Sequence, residues 1–368
     1  MTAKVYFASF RAGRKESWLD KLEKLFYRAG LEQAFAPRDL VAIKVHFGER
    51  GNLGYVRPQF AARVVQLVKR HGGKPFLTDA NTLYVGSRSN AVDHLQTAIE
   101  NGFDYAVVGA PLVIADGLNG KDYLNVTVNL KHFNEVKIAS AAYHADALIA
   151  ITHFKGHEAT GFGGTLKNIG MGLGSRSGKQ MMHSDLLPRV DPEKCTACAR
   201  CTRWCPTGAI QVVEDHAVID EQLCQGCGEC TVTCPEEAIA INWKTKPDVI
   251  QEKIVEYTVG VLQNKGGKYG FISFLTDVSP DCDCWGWNDA AIVRNIGMLA
   301  SRDPVALDQA CLDLVNREAA LAGSRLEGCA AGTDKFRTLY PRIDHERQLA
   351  YAEEVGLGTR SYELIEVG

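Results

Sequence analysis

Eight of the twelve cysteines form two runs with one spacing, Cys-x2-Cys-x2-Cys-x3-Cys-Pro. Such a run supplies three thiolates to one [4Fe-4S] cluster, and its fourth cysteine ligates the other cluster. The spacing therefore predicts two [4Fe-4S] clusters and an electron-transfer role. The predicted ligands of the first cluster are Cys195, Cys198, Cys201 and Cys234, and those of the second are Cys224, Cys227, Cys230 and Cys205.

The residues around the two runs repeat as well, because 190–210 and 219–239 align at a constant offset. Together they predict an α+β ferredoxin-type domain over residues 188–244. Structural zinc sites and disulfides are the alternatives for these cysteines. Zinc takes four ligands per ion, and a run of three cysteines followed by Cys-Pro offers it no advantage in coordination. Disulfides belong to oxidising compartments, which no signal peptide indicates here.

The chain has 368 residues, a net charge of −3 and the composition of an ordinary globular protein. This slight negative charge implies no general attraction to nucleic acid or to an anionic membrane. No stretch approaches the roughly 18 apolar residues of a membrane span. The N-terminus enters a strand pattern without a secretory signal. We expect a cytoplasmic protein, because a reducing compartment keeps its thiols available to iron.

Outside the cysteine runs, strand and helix patterns alternate along the chain. Residues 145–152 are almost all apolar, as in a strand that is covered on both faces. Residues 249–263 show the apolar spacing of a helix. This alternation predicts an α/β domain with layered helices and a mostly parallel sheet. Residues 125–130 and 135–138 predict an antiparallel hairpin that is added to the sheet.

The same alternation stops at the cysteine-rich segment and resumes after it. We therefore predict one α/β domain in two parts, 1–187 and 245–368, with the ferredoxin-type domain 188–244 inserted between them. Three successive domains are the alternative. The insertion is favoured because the last part is too short to form a doubly wound sheet of its own.

Polar residues and glycines follow the apolar strand at 145–152. In open α/β sheets, ligands bind beyond the carboxyl ends of the strands. We predict catalytic roles for His153, His157 and Lys155, with an imidazole as proton donor. Lys167 and Asn168, in the glycine-rich stretch that follows, are predicted to bind a small anionic substrate. The alternative is a tight turn in which the glycines are steric and the histidines bond backbone groups.

Other strand ends carry further candidates. Lys44 and His46 end the second strand and Asp79 ends the third, and all three are predicted to bind substrate. Cys282 and Cys284 follow a later strand, and a turn there would bring both sulfurs to one metal ion. With one of the histidines they would form a third metal site that has an open position. Unpaired thiols and a redox-active pair are the alternatives.

The segments that carry these residues resemble a known family. They are HFKGHEATGFGGTLKNIGMGLGSRSGK, TDANTLYVGSRSNA, DVSPDCDCWG and IGMLASRDPVALDQA. All are similar to domain-of-unknown-function family 362, in a form with an inserted two-cluster ferredoxin domain, and the resemblance covers essentially the whole chain. It implies the insertion architecture and a cytoplasmic iron–sulfur protein, and it implies no particular substrate or reaction.

Three functions fit these observations. In the first, an iron–sulfur oxidoreductase takes electrons from a low-potential donor protein and passes them to a substrate or metal centre in the α/β crevice. In the second, the chain is an electron-transfer subunit that docks a partner enzyme. In the third, it is a metal-handling or cofactor-assembly protein that uses Cys282 and Cys284. We favour the oxidoreductase.

Overall fold

A computed structural model describes residues 2–84, 86–183, 187–224, 226–240 and 245–368. The strands are β1 (Ala3–Ser9), β2 (Leu40–Val45), β3 (Lys74–Asp79), β4 (Leu112–Ile114), β5 (Tyr123–Thr127), β6 (Glu135–Ala139), β7 (Ala147–His153), β8 (Lys155–His157), β9 (Gly161–Gly163), β10 (Arg189–Val190), β11 (Ile210–Val213), β12 (His216–Ile219), β13 (Ile239–Ala240), β14 (Tyr269–Leu275), β15 (Gly297–Ser301) and β16 (Tyr362–Glu366). The α-helices are α1 (Trp18–Arg28), α2 (Pro58–Arg70), α3 (Ala91–Glu100), α4 (Tyr105–Val108), α5 (Ser140–His144), α6 (Thr165–Leu173), α7 (Arg176–His183), α8 (Glu229–Thr233), α9 (Pro247–Leu262), α10 (Pro304–Arg317), α11 (Lys335–Leu339) and α12 (Arg347–Glu354).

The main sheet has eight strands in the order β16-β1-β15-β14-β7-β2-β3-β4. Strand β15 is antiparallel to both of its neighbours, β1 and β14. Every other neighbouring pair in this sheet is parallel. The prediction of an α/β fold with a mostly parallel sheet is therefore confirmed. Its centre is formed by β14, β7 and β2, whose carboxyl ends meet at one edge.

Helices cover both faces of the sheet, because the central strands are apolar on both sides. Every residue of β7 is buried, and alternate residues face two different cores. Leu148 and Ala150 pack in the core that contains α6, α9 and α10. Ile149 and Ile151 pack in the core that contains α1 and α2. The continuous apolar run at 145–152 is thus explained by burial on both faces.

The predicted hairpin is present but does not extend the main sheet. Strands β5 and β6 pair antiparallel with each other, and in the described part of the chain they form a separate two-stranded sheet. Val136 and Ile138 of β6 turn into the core beside α9. The hairpin therefore packs against α9 and does not pair with a strand of the main sheet. This packing buries the apolar side chains of β6.

The cysteine-rich segment pairs only with itself among the strands that the structure describes. Strand β10 pairs with β13, and β11 pairs with β12. A small core of its own contains Cys201, Cys230, Ile210 and Ile239. The main sheet combines strands from before and after this segment. The predicted boundary at residue 244 lies outside the described residues.

In the described ranges, no helix is long and apolar enough to cross a membrane. The longest of these helices, α9, has 16 residues, whereas a span needs about 20 apolar residues.

The pairing pattern predicts that the main domain folds without the cysteine-rich segment. In β10 and β13, Val190 lies opposite Ile239, so residues 191–238 can be replaced by Asn-Gly, which closes a two-residue hairpin. We expect this shortened chain to keep an α/β circular dichroism spectrum and one cooperative thermal transition. Loss of the cooperative transition, with the full-length chain as control, would show that the sheet depends on the segment.

Candidate functional site

Four parallel strands deliver polar side chains to one edge of the sheet. Lys44 lies near the end of β2, Asp79 ends β3, and His153 ends β7. The chain after β14 continues through residues 276–284 over the same edge. Because parallel strands have their carboxyl ends together, the groups predicted from four separate segments converge. We call this region the crevice.

A β-turn places the two crevice cysteines side by side. The Trp285 backbone N–H donates to the Cys282 carbonyl over 3.2 Å, which closes the turn. The Sγ atoms of Cys282 and Cys284 are 3.1 Å apart. Cys282 is buried, whereas Cys284 is partly exposed. The turn thus presents two thiols at one point, as the sequence led us to expect.

The carboxylate of Asp283, between the two cysteines, anchors this turn. It lies 2.9 Å from Nδ1 of His153 and 3.0 Å from Nζ of Lys155. Asp283 is 1% exposed, and burial opposes its ionisation. The charges of His153 and Lys155 outweigh that effect and hold the pKa of Asp283 below its ordinary range. The turn is therefore fixed by a buried carboxylate between two cations.

His153 and Lys155 consequently differ from their predicted roles. The Nε2 of His153 donates to the Thr276 carbonyl over 2.8 Å, and its Nδ1 faces Asp283. Lys155 also donates to the His153 carbonyl over 3.0 Å. Because protein groups engage both imidazole nitrogens, His153 positions the turn and has no nitrogen left to protonate a substrate. We assign Lys155 the same positioning role.

A glycine allows the chain segments to approach closely enough for this anchor. Gly156, in β8, donates its backbone N–H to the Ser279 carbonyl over 2.8 Å. A Cβ atom at position 156 would lie 1.9 Å from the Pro280 carbonyl oxygen. Only glycine fits there without displacing the segment that leads to Cys282.

The surroundings of the two thiols favour ionisation of Cys282. Nζ of Lys167 lies 3.2 Å from Sγ of Cys282. The hydrogen bond from Cys284, together with Lys167 and His157, lowers the pKa of Cys282 well below its ordinary value in spite of burial. The same hydrogen bond and burial raise the pKa of Cys284. Lys167 and the contact between the sulfurs thus favour the thiolate form of Cys282 over that of Cys284.

Two histidines face the thiols with equivalent tautomers. Nδ1 of His46 accepts from the Gly48 N–H over 3.1 Å, and Nδ1 of His157 accepts from the Ala159 N–H over 3.1 Å. In each ring the hydrogen must therefore lie on Nε2. Nε2 of His46 is 3.7 Å from Sγ of Cys284, and His157 hydrogen-bonds Cys282. Burial and Arg88 lower the pKa of His46, which keeps its ring neutral.

Lys44, Asp79 and Asn168 form a buried network behind the thiols. Nζ of Lys44 lies 3.1 Å from Asp79 and donates to Oδ1 of Asn168 over 2.7 Å. The amide of Asn168 donates to the Ile151 carbonyl and the Thr152 hydroxyl. Protein groups thus bind the polar atoms that were predicted to bind substrate. The network ties α6 to β2, β3 and β7, and it holds Lys167 of α6 in place.

Sequence reasoning missed an arginine that completes this network. Arg88 is 1% exposed and contacts Glu49 at 3.2 Å and Asp79 at 3.5 Å. It also donates to the Tyr84 hydroxyl over 2.6 Å. Arg88 lies in a loop between β3 and α3, where no motif or periodicity marks it. Its only signal was its place in one of the four segments that carry the family resemblance.

The glycine-rich stretch does not leave an open anion site. The backbone N–H groups of Thr165 and Leu166, at the N-terminus of α6, donate to the carboxylate of Asp308 over 2.7 and 2.9 Å. A Cβ atom at Gly164 would lie 2.6 Å from that carboxylate. The chain's own Asp308 therefore occupies the place where the sequence suggested a substrate anion. Burial raises the pKa of Asp308 to about 6.

The eight cysteines of the two runs line two separate cavities. The cysteines of the first cavity are Cys195, Cys198, Cys201 and Cys234, and those of the second are Cys205, Cys224, Cys227 and Cys230. Each cavity thus combines three cysteines of one run with the last cysteine of the other. In the described ranges, no three His, Cys, Asp or Glu side chains are close enough together to hold a single metal ion.

The backbone between these cysteines adopts left-handed conformations, and N–H groups from neighbouring residues contact two of the sulfurs. Ala197 and Ala199 have φ angles of 54° and 55°, and Gly228 has a φ of 71°. Backbone N–H groups reach sulfur at Ala217, 3.3 Å from Cys195, and at Ala238, 3.3 Å from Cys234. Such hydrogen bonds stabilise thiolates that hold iron.

Helix α7 lies between the second cavity and the crevice. A Cβ atom at Gly228, beside the second cavity, would lie 2.2 Å from Cγ of Gln180. Burial, together with the nearby charge of Lys167, lowers the pKa of His183, three residues further along α7, to about 3. Three residues rise about 4.5 Å along a helix. One turn of α7 therefore borders both sites.

The fold and these sites define an α/β protein with a mostly parallel sheet and a cysteine-rich segment. Residues 41–313 match the family described as a domain of unknown function (DUF362), and the chain belongs to this family. The family predicted from the sequence is thus confirmed. No curated protein matches the chain.

Two solved structures resemble the chain more distantly. The lactate racemase apoprotein from Thermoanaerobacterium thermosaccharolyticum is 12% identical with a TM-score of 0.40, over 86% of this chain and 58% of that one. A Thermotoga maritima protein solved by a structural genomics consortium is 11% identical with a TM-score of 0.37, over 72% of this chain and 52% of that one. The chain thus spans less than two thirds of either protein.

Replacing Gly156 with alanine tests the close approach that supports the turn. The new Cβ atom meets the Pro280 carbonyl, so we expect Gly156→Ala to reduce the free energy of unfolding by about 3 kcal/mol in a urea titration. Gly13→Ala is the control, because nothing lies within 4 Å of a Cβ atom there and we expect a change within about 0.5 kcal/mol. Equal effects of the two substitutions would contradict the packing argument.

Removing the charge of Lys167 tests the thiolate at Cys282. An ordinary cysteine has a pKa of about 8.5. Because the pKa of Cys282 is lower, its thiolate is present at pH values at which an ordinary cysteine is still protonated. In Lys167→Gln we expect the pH dependence of alkylation of the Cys282–Cys284 pair by iodoacetamide to move to higher pH, as followed by peptide mass spectrometry. The reagent enters at Cys284, the partly exposed thiol of the pair. Lys167→Arg keeps the charge and should retain the wild-type profile. An unchanged profile in Lys167→Gln would refute the ion pair.

Proposed function

We propose that the protein is an iron–sulfur oxidoreductase, in which residues 188–244 form an inserted ferredoxin-type domain that holds two [4Fe-4S] clusters. One observation carries the proposal: each cavity is lined by four cysteines in the crossed combination that two-cluster ferredoxins require. The sequence repeat alone does not bring the fourth cysteine of one run to the other run. The fold of the segment brings them together, because β10 at the start of the segment pairs with β13 at its end.

The chemistry of the two cavities suits clusters better than single zinc ions. Zinc draws four sulfurs to about 2.3 Å from one ion, whereas no three ligating side chains in the described segments converge in that way. Each set instead surrounds a cavity, and backbone N–H groups point at Cys195 and Cys234. When bound, each cluster would supply one-electron transfer.

The two proposed clusters differ in their surroundings, which gives electron flow a direction. Cys198, in the first set, is exposed, so a low-potential donor protein would reach this cluster first. The second set lies against α7 and the hairpin: Lys137 of β6 donates to the Cys227 carbonyl over 3.4 Å and pairs with Glu229 at 3.1 Å. We propose that electrons enter at the first cluster and leave from the second toward the crevice.

The crevice provides the groups that a reduction needs. Cys282 and Lys167 form an ion pair, and His46 and His157 hold Nε2 hydrogens toward the thiols. In the proposed reaction, these Nε2–H groups stabilise the thiolates by hydrogen bonds as electrons arrive, and protons enter from solvent at the partly exposed Cys284. A small substrate would be reached through Cys284, the partly exposed thiol. The free thiols fit a reducing compartment, and we propose the cytoplasm.

Iron content tests the proposed clusters. We expect anaerobically purified protein to contain about eight irons per chain. Cys234→Ser should remove the first cluster, although Cys234 lies in the second cysteine run. Cys205→Ser should remove the second cluster in the same crossed manner. Each variant should retain about four irons, because the other set of ligands is intact.

Electron paramagnetic resonance of the reduced variants identifies which cluster remains, because the two differ in exposure and hydrogen bonding. Cys329→Ser is the matched control, since Cys329 lines neither cavity, and it should keep the full iron content. Stoichiometric zinc in place of iron, or loss of the cluster in the mutated residue's own run, would refute the proposal.

A further inference from the structure

We propose that Cys282 and Cys284 form a reversible dithiol–disulfide couple that stores two electrons and exchanges them with small organic disulfides. The couple depends on the proposed iron–sulfur function only for its supply of electrons. The disulfide itself forms from crevice side chains alone. It gives two one-electron clusters a destination that accepts electrons in pairs.

The geometry of the turn already brings the two sulfurs together. They are 3.1 Å apart, and a disulfide bond is about 2.05 Å long, so closing the bond requires an approach of about 1 Å. Asp283 lies between the cysteines and is anchored by His153 and Lys155. Because the anchor fixes the backbone of the turn, side-chain rotation is the movement left for the sulfurs.

The charges around the pair suit thiol–disulfide exchange, which starts from a thiolate. Lys167 pairs with the Cys282 sulfur at 3.2 Å. The proton that the sulfurs share can lie on either one, so Cys284 becomes the thiolate when Cys282 takes it. Cys284 is partly exposed and Cys282 is buried. An incoming disulfide therefore meets Cys284, and Cys282 remains behind it as the resolving thiol.

Each sulfur also faces an imidazole that can donate a hydrogen bond to its thiolate. His46 faces Cys284 with Nε2 at 3.7 Å, and His157 hydrogen-bonds Cys282. Both rings keep the hydrogen on Nε2, because backbone N–H groups occupy Nδ1. A thiolate formed on either cysteine is thus stabilised by an Nε2–H group, while its proton comes from solvent.

The electrons and atoms balance as follows. The Cys284 thiolate attacks a disulfide R–S–S–R, forms a mixed disulfide and releases one R–S⁻. Cys282, which holds the shared proton, transfers it to the first released R–S⁻, which leaves as R–SH. The resulting Cys282 thiolate then attacks the Cys284 sulfur, releases the second R–S⁻ and closes the Cys282–Cys284 disulfide. Two electrons, one from each reduced cluster, reopen that bond and leave a thiolate at Cys282 and, after uptake of one proton from solvent, a thiol at Cys284.

The couple is tested with bis(2-hydroxyethyl) disulfide and the anaerobic, iron-loaded protein. We expect the peptide that contains both crevice cysteines to become an internal disulfide, with both halves of the reagent released as thiols. Cys329, a partly exposed thiol outside the turn, is the control and can form only a mixed disulfide. A persistent mixed disulfide at Cys284, or no reaction there, would overturn the couple.

The electron supply is tested separately by adding methyl viologen radical, a one-electron donor, to the oxidised protein. We expect the Cys282–Cys284 disulfide to reopen about tenfold more slowly in Cys230→Ser, which lacks a ligand of the second cavity. Cys198→Ser, at an exposed position, provides a second cluster variant if Cys230→Ser does not fold. Equal rates in wild type and variants would leave the couple standing and refute its link to the clusters.

Discussion

The buried carboxylate of Asp283 is the interaction on which the crevice depends. Placing an ion in a protein interior costs several kcal/mol, and the cost is recovered only with well-placed partners. Asp283 has two such partners, His153 and Lys155, each about 3 Å away. Since the residue lies between Cys282 and Cys284, fixing its side chain fixes the turn. The positions of both sulfurs follow from that single anchor.

The anchor in turn requires backbone contacts that only certain residues allow. Strand β8 lies against the segment before Cys282 because Gly156 has no side chain to collide with Pro280. The Glu49 N–H donates to the Asp283 carbonyl over 3.2 Å, which joins the end of β2 to the same turn. Strands β2 and β7 thus hold a segment that follows β14. The parallel arrangement of these strands makes the three ends adjacent.

The sequence predicted the elements of the fold well and the roles of the site residues less well. The apolar run at 145–152 and the helix predicted at 249–263 follow from local patterns that burial determines. The roles of His153, Lys155, Lys44 and Asn168 do not, because they depend on partners more than a hundred residues away. A polar residue at a strand end has the same local sequence whether it faces a substrate or another side chain.

The missed residues illustrate the same limit. Asp308 fills the N-terminus of α6 from another helix, and its distance of 143 residues from Thr165 leaves no local trace. The cysteines differ: the spacing within each run is local, and the crossed sets named from it line the two cavities once β10 pairs with β13. Their role as cluster ligands stays a prediction.

The most direct test of the account is a crystal structure of anaerobically prepared protein, with anomalous diffraction measured on both sides of the iron edge. The account predicts one compact group of iron in each cavity, with Cys234 ligating the first and Cys205 the second. Iron absent from the cavities, a zinc signal in its place, or each group bound by the four cysteines of a single run would contradict it.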